Sequence, residues 1–284
     1  MKKDLIVTTI SSNYDWVDIK NWLHSIKKTD YEGDILVMAY NFKAQDPFIT
    51  QLQEAGCMVI TPNSTYRGEH HETFLTHSGY VTPQNANELV HNVRLFHLWQ
   101  YLVETELDNQ YNRVVFTDGR DVIFQTNPTH WLDTNMHKDI LVPSEGILYK
   151  DQPWNKDNAL KNYGGYIYEY LLKDRFVCNV GTFACTASIC KDLCLTLYLM
   201  SNNIGHADQP SFNILTSTLL KDKCQWVDYK DSWAFQIGAI VDNISEYSEE
   251  RESILYTKTN KEPYCIVHQY DRIPHLKHHY DTTL

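Results

Sequence analysis

The first 60 residues alternate between short apolar runs and amphipathic segments, and this alternation is the strongest constraint on the fold. Apolar runs at residues 5–10, 35–40 and 57–60 are predicted strands. Between them, residues 14–26 carry large apolar side chains at helical spacing, and an Asp-Pro pair opens a second helix at residues 46–55. A strand–helix–strand–helix–strand order indicates a parallel sheet with right-handed crossovers. We therefore expect an α/β fold.

A further apolar run at residues 114–116 ends in two carboxylates, Asp118 and Asp121, which bracket a glycine and an arginine. Open α/β sheets bind ligands at the carboxyl ends of their strands. Mg²⁺ and Mn²⁺ favour one or two carboxylates together with a bound phosphate. The alternative is an Asp-Gly turn with a surface ion pair between Arg120 and Asp121, because turns use the same residue types. The segment alone leaves both interpretations open.

The formal net charge of −11 argues against a nucleic-acid partner, because nucleic acids select basic grooves. No apolar run approaches the roughly 18 residues of a membrane-spanning helix. The seven cysteines are odd in number and form no C-x-x-C pair, which favours buried free thiols in a reducing compartment. These features predict a soluble cytoplasmic protein without a transmembrane segment.

The rest of the chain continues the mixture of strands and helices. A long helix is expected from Pro83 to the strand that precedes Asp118. Further strands are predicted at residues 140–143, 178–184, 225–229, 254–257 and 265–270. Further helices are predicted at residues 189–200 and 206–220.

The domain organisation follows from the absence of any convincing linker. We expect a single domain over residues 1–284, made of two closely joined halves at about 1–125 and 126–284. The segment at residues 62–83 is irregular, and a long loop of this kind is more often functional or mobile than structural.

Polar signatures occur in a particular order along the chain. They are Asp118-Gly-Arg-Asp121, Asn179-Val-Gly181, Asp208-Gln209 with Asn213, and His268 near the C-terminus. On these residues the whole chain resembles the GT-A-fold glycosyltransferases. That resemblance implies a Rossmann-like, mixed but mainly parallel sheet flanked by helices. It also implies a UDP-sugar donor, a glycan acceptor and Mn²⁺ or Mg²⁺ as cofactor.

The spacing of the two carboxylates departs from the Asp-x-Asp pattern of that family. Residues i and i+3 of an extended strand lie on opposite faces, so Asp118 and Asp121 share one ion only if Gly119 permits a turn or bulge. Asp121 is the first predicted metal ligand, and Asp118 either shares the ion or binds the ribose. His268 has a structural alternative, but the resemblance implies that it completes the metal site.

Two carboxylates are candidate catalytic groups. Asp208 precedes Gln209-Pro210, so it either caps a helix or takes the acceptor proton in an inverting transfer, and Gln209 is placed with it near the anomeric carbon. A retaining transfer needs no such base. Glu145, after a predicted strand, is the rival for binding or deprotonating the acceptor.

Contacts to the nucleotide sugar are expected from residues near strand ends, from residues of the signatures and, by the resemblance, from an arginine on the helix that precedes the metal strand. They are Thr8, Thr9, Ser11, Asn13, Tyr40, Arg94, Asp118, Asn179 and Gly181. Tyr40 is expected to stack on the base and Arg94 to reach a phosphate, with Arg67 and Lys277 as alternatives for the phosphate. Each of these residues also has a purely structural interpretation.

The resemblance therefore implies a metal-dependent glycosyltransferase that moves xylose, glucose or galactose from UDP to a hydroxyl of a glycan or glycoprotein glycan. It also implies that residues 1–125 bind the nucleotide sugar and the metal, whereas residues 126–284 bind the acceptor and include the C-terminal metal-ligand segment. The chain is also similar in general character to the glycosyltransferases of large algal viruses, one of which is a xylosyltransferase. The alternatives are a metal-dependent phosphohydrolase or nucleotidyltransferase, and a module that binds nucleotide sugars or glycans without catalysis. A two-metal hydrolase is disfavoured because the chain has a single compact acidic cluster.

Overall fold

A computed structural model of the chain describes residues 2–42, 46–62, 86–106, 109–201 and 206–284, with residues 86–89 described by their backbone alone. The predicted loop at residues 62–83, including Arg67, lies outside these ranges except for its first residue. The strands are β1 (Lys3–Ser11), β2 (Asp34–Tyr40), β3 (Met58–Ile60), β4 (Tyr111–Phe116), β5 (Val122–Phe124), β6 (Ile140–Leu148), β7 (Phe176–Cys178), β8 (Ala184–Thr186), β9 (Cys224–Val227), β10 (Ala234–Gln236), β11 (Ser248–Arg251), β12 (Ile254–Thr257) and β13 (Ile266–His268). The α-helices are α1 (Trp16–Lys28), α2 (Pro47–Glu54), α3 (Ala86–Thr105), α4 (Pro128–Asn135), α5 (Pro153–Ile167), α6 (Ala187–Met200), α7 (Asp208–Ser217), α8 (Ile244–Tyr247) and α9 (Pro274–Thr283).

The described strands form a central sheet of eight strands in the order β3-β2-β1-β4-β8-β6-β7, with β9 paired to β6. Strands β1 to β4 are parallel, as the strand–helix alternation predicts. Strand β8 is antiparallel to both β4 and β6. A smaller sheet, β10-β13-β5, lies beside it, and β11 and β12 form a hairpin. The predicted α/β fold with a mixed, mainly parallel sheet is confirmed.

The core lies on both faces of the central sheet because successive residues of a strand point in opposite directions. Leu5 of β1 packs in a cluster with Leu95 of α3, whereas the next residue, Ile6, packs with Trp22 of α1. Because both faces are buried, the parallel strands have continuous apolar sequences instead of alternating apolar and polar residues. All seven cysteines are buried and none forms a disulfide, as predicted.

Three details differ from the sequence prediction. Strand β6 extends to Leu148, so Glu145 lies within the strand rather than after it. The predicted strand at residues 178–184 is two strands, β7 and β8, because the segment between them leaves the ladder at the Asn-Val-Gly signature. Helix α5 was not predicted as a helix, and its pattern is interrupted at Gly164, which has a φ of +75°. No helix in the described ranges is long and apolar enough to cross a membrane.

Candidate functional site

The site lies where β4 ends and the chain passes from the large sheet to the small one. The backbone N–H of Thr117 still donates to the Val7 carbonyl at 2.9 Å, and that of Asp118 donates to the Gly181 carbonyl at 2.9 Å. Residues 119–121 then form a bend before β5 begins. The two carboxylates are therefore not in an extended strand, and the bend required by their spacing is present.

Gly119 is needed in this bend for space rather than for an unusual backbone angle. A Cβ at this position would lie 2.7 Å from Ile19 Cδ1 and 2.8 Å from the Thr8 hydroxyl oxygen. Gly181 has a similar role on the other side of the bend, since its Cβ would lie 2.4 Å from Asp118 Oδ2. Both glycines let backbone approach the site closely.

Asp118, Asp121 and His268 come together at this bend, with one ligand atom from each within 4.8 Å of the others. His268 Nε2 lies 3.6 Å from Asp118 Oδ2 and 3.7 Å from Asp121 Oδ1. The pairing of β13 with β5 places His268 opposite Val122, and the Gln269 N–H donates to the Asp121 carbonyl at 2.6 Å. Sheet register therefore brings a residue from the C-terminal region beside the bend.

This donor set fits a divalent cation such as Mn²⁺ or Mg²⁺. Two carboxylate oxygens supply negative charge, and a neutral imidazole nitrogen is an accepted ligand for ions of the Mn²⁺ type. His268 Nδ1 lies 2.7 Å from Gln236 Oε1, so the ring is held with Nε2 toward the carboxylates. Gln236 in turn donates to the Thr182 hydroxyl at 2.6 Å.

The pKa shifts of the three groups describe a site with excess negative charge. Desolvation in the cleft opposes ionisation of Asp118, but the neighbouring His268 and the charge of Arg94 hold its pKa well below the usual range. Burial raises the pKa of Asp121; His268 opposes this rise, and the neighbouring charge of Asp118 adds to it. Burial lowers the pKa of His268, but the charges of Asp121 and Asp118 outweigh it and raise the pKa. The three groups together therefore favour the binding of a proton or a cation between them.

Arg94 of α3 is buried and holds two carboxylates at once. One guanidinium nitrogen donates to Asp118 Oδ1 and another to Asp208 Oδ2, both at 3.0 Å. Its guanidinium carbon lies 4.8 Å from the centre of the Phe116 ring. Arg94 therefore ties α3, the end of β4 and the start of α7 together, and leaves Asp118 Oδ2 facing His268.

Asp208 is the first residue of α7, and Ala207 occupies the N-cap position without a side-chain cap. Of the two alternatives for Asp208, the helix cap therefore falls one residue earlier, at Ala207. Its Oδ1 accepts from the Gln209 N–H at 3.0 Å and its Oδ2 accepts from Arg94. Asn213, one turn later, does not reach the metal cluster but binds the backbone N–H and carbonyl of Cys178 at 2.8 and 2.7 Å.

Glu145 lies in a cage of side-chain amides on the other side of the cleft. Its Oε1 accepts from Asn179 at 2.9 Å and from Gln209 at 3.1 Å, and its Oε2 accepts from Asn155 at 3.4 Å. Burial raises the pKa of Glu145, and the hydrogen bonds from the amides only partly oppose this. Asn155 was missed by the sequence analysis because it lies on α5, which was not predicted as a helix.

Four of the predicted nucleotide contacts belong to β1 or follow it: Thr8 and Thr9 lie within the strand, Ser11 is its last residue and Asn13 comes after it. Thr8 and Thr9 have buried hydroxyl oxygens without a hydrogen-bond partner in the described part of the chain. Ser11 donates to the Asn13 side chain near the surface. Because the Thr8 and Thr9 hydroxyls are buried within the strand, only Ser11 and Asn13 are placed where a ligand could contact them.

Tyr40 is placed differently from the expectation, and Lys277, an alternative for the phosphate, has an ion-pair partner. Tyr40 is 4% exposed, and its hydroxyl lies 2.8 Å from Nδ1 of His97 in the core. A ring this deeply buried offers no open face to a nucleotide base, so we do not retain the stacking role. Lys277 is on α9 and pairs with Asp281.

A cleft of about 340 Å³ lies between Asp118 and His268 on one side and the amide cage of Glu145 on the other. The predicted residues that line it are Arg94, Asp118, Glu145, Asn179, Gly181, Asp208, Gln209 and His268. Lining residues that the sequence analysis did not single out for the site include His91, Gln152, Trp154, Asn155, His206, Gln269 and Arg272. The Trp154 ring is 49% exposed and lies 5.4 Å from the ring of His206, so the cleft has one aromatic wall.

No protein-family model matches the sequence, and no curated protein matches it. A solved structure with a similar fold is that of the bifunctional glycosyltransferase WbbM in its apo form, with a TM-score of 0.52 and 11% sequence identity. The similarity covers 84% of this chain, which spans 40% of the length of that protein. This likeness concerns the fold and agrees with the predicted GT-A-like architecture.

Proposed function

We propose that this protein is a metal-dependent glycosyltransferase that moves a sugar from a nucleotide-sugar donor to a hydroxyl acceptor. The observation that carries the proposal is the meeting of Asp118, Asp121 and His268 at the carboxyl edge of β4, within a fold like that of a glycosyltransferase. Open α/β sheets bind their ligands at this edge.

On the donor side, Asp118 Oδ2, Asp121 and His268 Nε2 would hold Mn²⁺ or Mg²⁺. When bound, the ion supplies a positive charge that stabilises the departing nucleoside diphosphate. Arg94 orients Asp118, and Gln236 orients His268. Ser11 and Asn13, at the end of the neighbouring strand, would contact the nucleoside, and we propose that the nucleotide is UDP.

On the acceptor side, Glu145 is a better candidate base than Asp208. Asp208 is held by an ion pair with the buried Arg94 through Oδ2 and by the Gln209 N–H through Oδ1. Glu145 faces neutral amides, and burial raises the pKa of this carboxyl toward the range in which general bases operate. In an inverting reaction Glu145 would take the acceptor proton, and in a retaining reaction Gln209 and Asn179 would orient the sugar.

The two halves of the chain would then act as one domain. Residues 1–125 provide the nucleoside edge and two metal ligands, whereas residues 126–284 provide His268 and the acceptor side with Glu145 and Gln209. The placement of His268 beside Asp118 and Asp121 supports this arrangement, since the proposed metal site needs residues from both halves.

The decisive experiment measures release of UDP from UDP-xylose, UDP-glucose and UDP-galactose, with Mn²⁺ and with EDTA. We expect turnover of at least one donor with Mn²⁺ and none after chelation. Asp121→Ala should abolish turnover, whereas Asp192→Ala, an exposed carboxylate on α6, should have no effect. Absence of UDP release, together with metal-dependent hydrolysis of simple phosphate esters, would refute glycosyl transfer and favour a phosphohydrolase.

A further inference from the structure

A second cavity of about 630 Å³ lies outside the cleft. Its lining includes Ser144 and Gly146 of β6, residues of α7 one or two turns beyond Gln209, and the segment after β9. Phe176 of β7 and Trp226 of β9 belong to the same lining. The volume is within the usual range of about 300–1,000 Å³ for ligand pockets. We call this cavity the β6 groove.

The β6 groove is separate from the cleft because the two cavities use alternate residues of the same strands. Ser144 and Gly146 line the groove, whereas Glu145 between them lines the cleft. In the same way Cys178 lines the groove and Asn179 lines the cleft. Alternate residues of a strand point to opposite faces, so the backbone of β6 and β7 divides the two cavities.

Aromatic rings in the β6 groove are open to solvent. Phe176 is 56% exposed and Trp226 is 42% exposed, on two strands that both pair with β6. Large aromatic side chains are usually buried, and exposed ones on a concave surface are characteristic of binding sites. Flat rings of this kind pack against the apolar faces of sugars, and the Trp226 indole N–H can also donate a hydrogen bond.

Charged side chains of both signs line the β6 groove, although the whole chain carries a net charge of −11. They are the carboxylates Asp174, Asp228 and Asp231 and the cations Arg175, Lys221 and Lys230, and Asp174 is also paired with Lys150 at 2.8 Å. Neither Arg175 nor Lys221 forms an ion pair with a described residue, so their N–H donors face the cavity or solvent. A mixed set of donors and acceptors selects neither anions nor cations, but it suits a neutral ligand with many hydroxyls.

We propose that the β6 groove is a second binding site that takes a neutral oligosaccharide. Exposed rings would stack on its sugar faces, and the charged side chains of both signs would bind its hydroxyls. This binding needs neither the metal cluster nor the transfer reaction, so it can be tested independently of the proposed enzymatic function.

The test is calorimetric titration of the full chain with neutral pentasaccharides of glucose, xylose, mannose and galactose, and with a pentagalacturonate as the charged counterpart. We expect at least one neutral probe to bind and the pentagalacturonate to bind at least about tenfold more weakly. Trp226→Ala should weaken binding about tenfold or more, because it removes a stacking ring. Phe176→Ser, on a different strand and more exposed, is the second variant, and the melting temperature of each variant confirms folding.

Two controls separate the β6 groove from the cleft. Asp121→Ala should leave pentasaccharide binding unchanged even if it abolishes all transfer, and saturating UDP with Mn²⁺ should not displace the pentasaccharide. The proposal is overturned if no neutral probe binds, if both aromatic variants bind as well as the wild type, or if UDP competes. It is also overturned if sedimentation shows a dimer that dissociates on Trp226→Ala, since a second copy would then cover the groove.

Discussion

Two buried arginines lie on opposite sides of the segment that leads to the metal cluster, and each holds two carboxylates. Arg113, in the first half of β4, donates to Asp4 of β1 at 3.0 Å and also pairs with Asp133 of α4. Arg94, packed on Phe116 at the last residue of β4, pairs with Asp118 and Asp208. Both arginines form the same kind of ion pair, but their carboxylate partners differ in whether an oxygen remains available to a ligand.

At Arg113 the carboxylate of Asp4 is fully used. Both of its oxygens contact the guanidinium, Oδ2 also accepts from the Thr129 hydroxyl at 2.8 Å, and its side chain is 1% exposed. At Arg94 the side chain of Asp118 is 36% exposed, and its second oxygen faces His268. A saturated ion pair stabilises a fold, whereas a half-saturated one at the carboxyl edge of a sheet can bind a ligand.

The largest effect should come from the metal cluster, where Asp118 keeps one oxygen available to a ligand and Asp121 lies beside it. Asp121→Asn removes a metal ligand and should lower kcat/KM for metal-dependent UDP release about 100- to 1,000-fold. Without metal its melting temperature should equal or exceed that of the wild type, because burial and the Asp118 charge disfavour the Asp121 carboxylate. Thermal shift with and without Mn²⁺ checks both points; a large loss of stability would show that Asp121 is structural.

Exchanging the two arginines for methionine should separate stability from activity. Arg113→Met leaves the Asp4 carboxylate buried and unpaired, so the free energy of unfolding should fall by about 3–5 kcal/mol. The folded fraction should keep the wild-type kcat/KM. Arg94→Met should cost a similar amount of stability and also weaken Mn²⁺ binding. Urea denaturation and Mn²⁺ titration distinguish them, and equal metal affinity in both variants would contradict the comparison.

A smaller effect is expected where only the position of Asp118 changes. Gly181→Ala places a methyl group against Asp118 Oδ2 and should weaken Mn²⁺ binding about 10- to 100-fold, as the loss of a supporting contact does. The matched control is Gly165→Ala, since a Cβ there has no neighbour within 4 Å. Calorimetric Mn²⁺ titration of both variants is the measurement; identical affinities would mean that Asp118 tolerates displacement.

The smallest effect should come from the exposed partner of Arg113. The Asp133 side chain is 59% exposed, so its ion pair is largely screened by solvent. Asp133→Asn should change the free energy of unfolding by no more than about 1 kcal/mol and leave activity unchanged. Urea denaturation at two salt concentrations tests this, and a loss as large as that of Arg113→Met would show that Asp133, not Asp4, is the main partner.

The parallel part of the sheet was predictable because its signals are local. The apolar run at residues 35–40 became Asp34–Tyr40, and the amphipathic segment at 14–26 became Trp16–Lys28. Parallel sheets bind ligands at the carboxyl ends of their strands, and this predicts Asp118 and Asp121 as site residues. The structure places both beside His268.

The partners within the site were not predictable in the same way. Arg94 and Asp208 are 114 residues apart, and no periodicity connects them. Asn155 and Gln236 have no motif, because an amide that positions another side chain needs only a neighbour in space. Tyr40, in contrast, was assigned a ligand contact but lies in the core. A tyrosine at the end of a strand has the same sequence context whether it stacks on a ligand or pairs with His97.

Strand β6 has a consequence for how this protein can change over time. Its odd-numbered position Glu145 serves the cleft, and the even-numbered Ser144 and Gly146 serve the groove. Substitutions at one parity can therefore modify one cavity without touching the other. Insertion or deletion of a single residue would exchange the two sets of side chains at once. Gly146 is the exception to free replacement, because its φ of +72° and the Tyr229 ring 3.0 Å from a Cβ at this position disfavour any other residue.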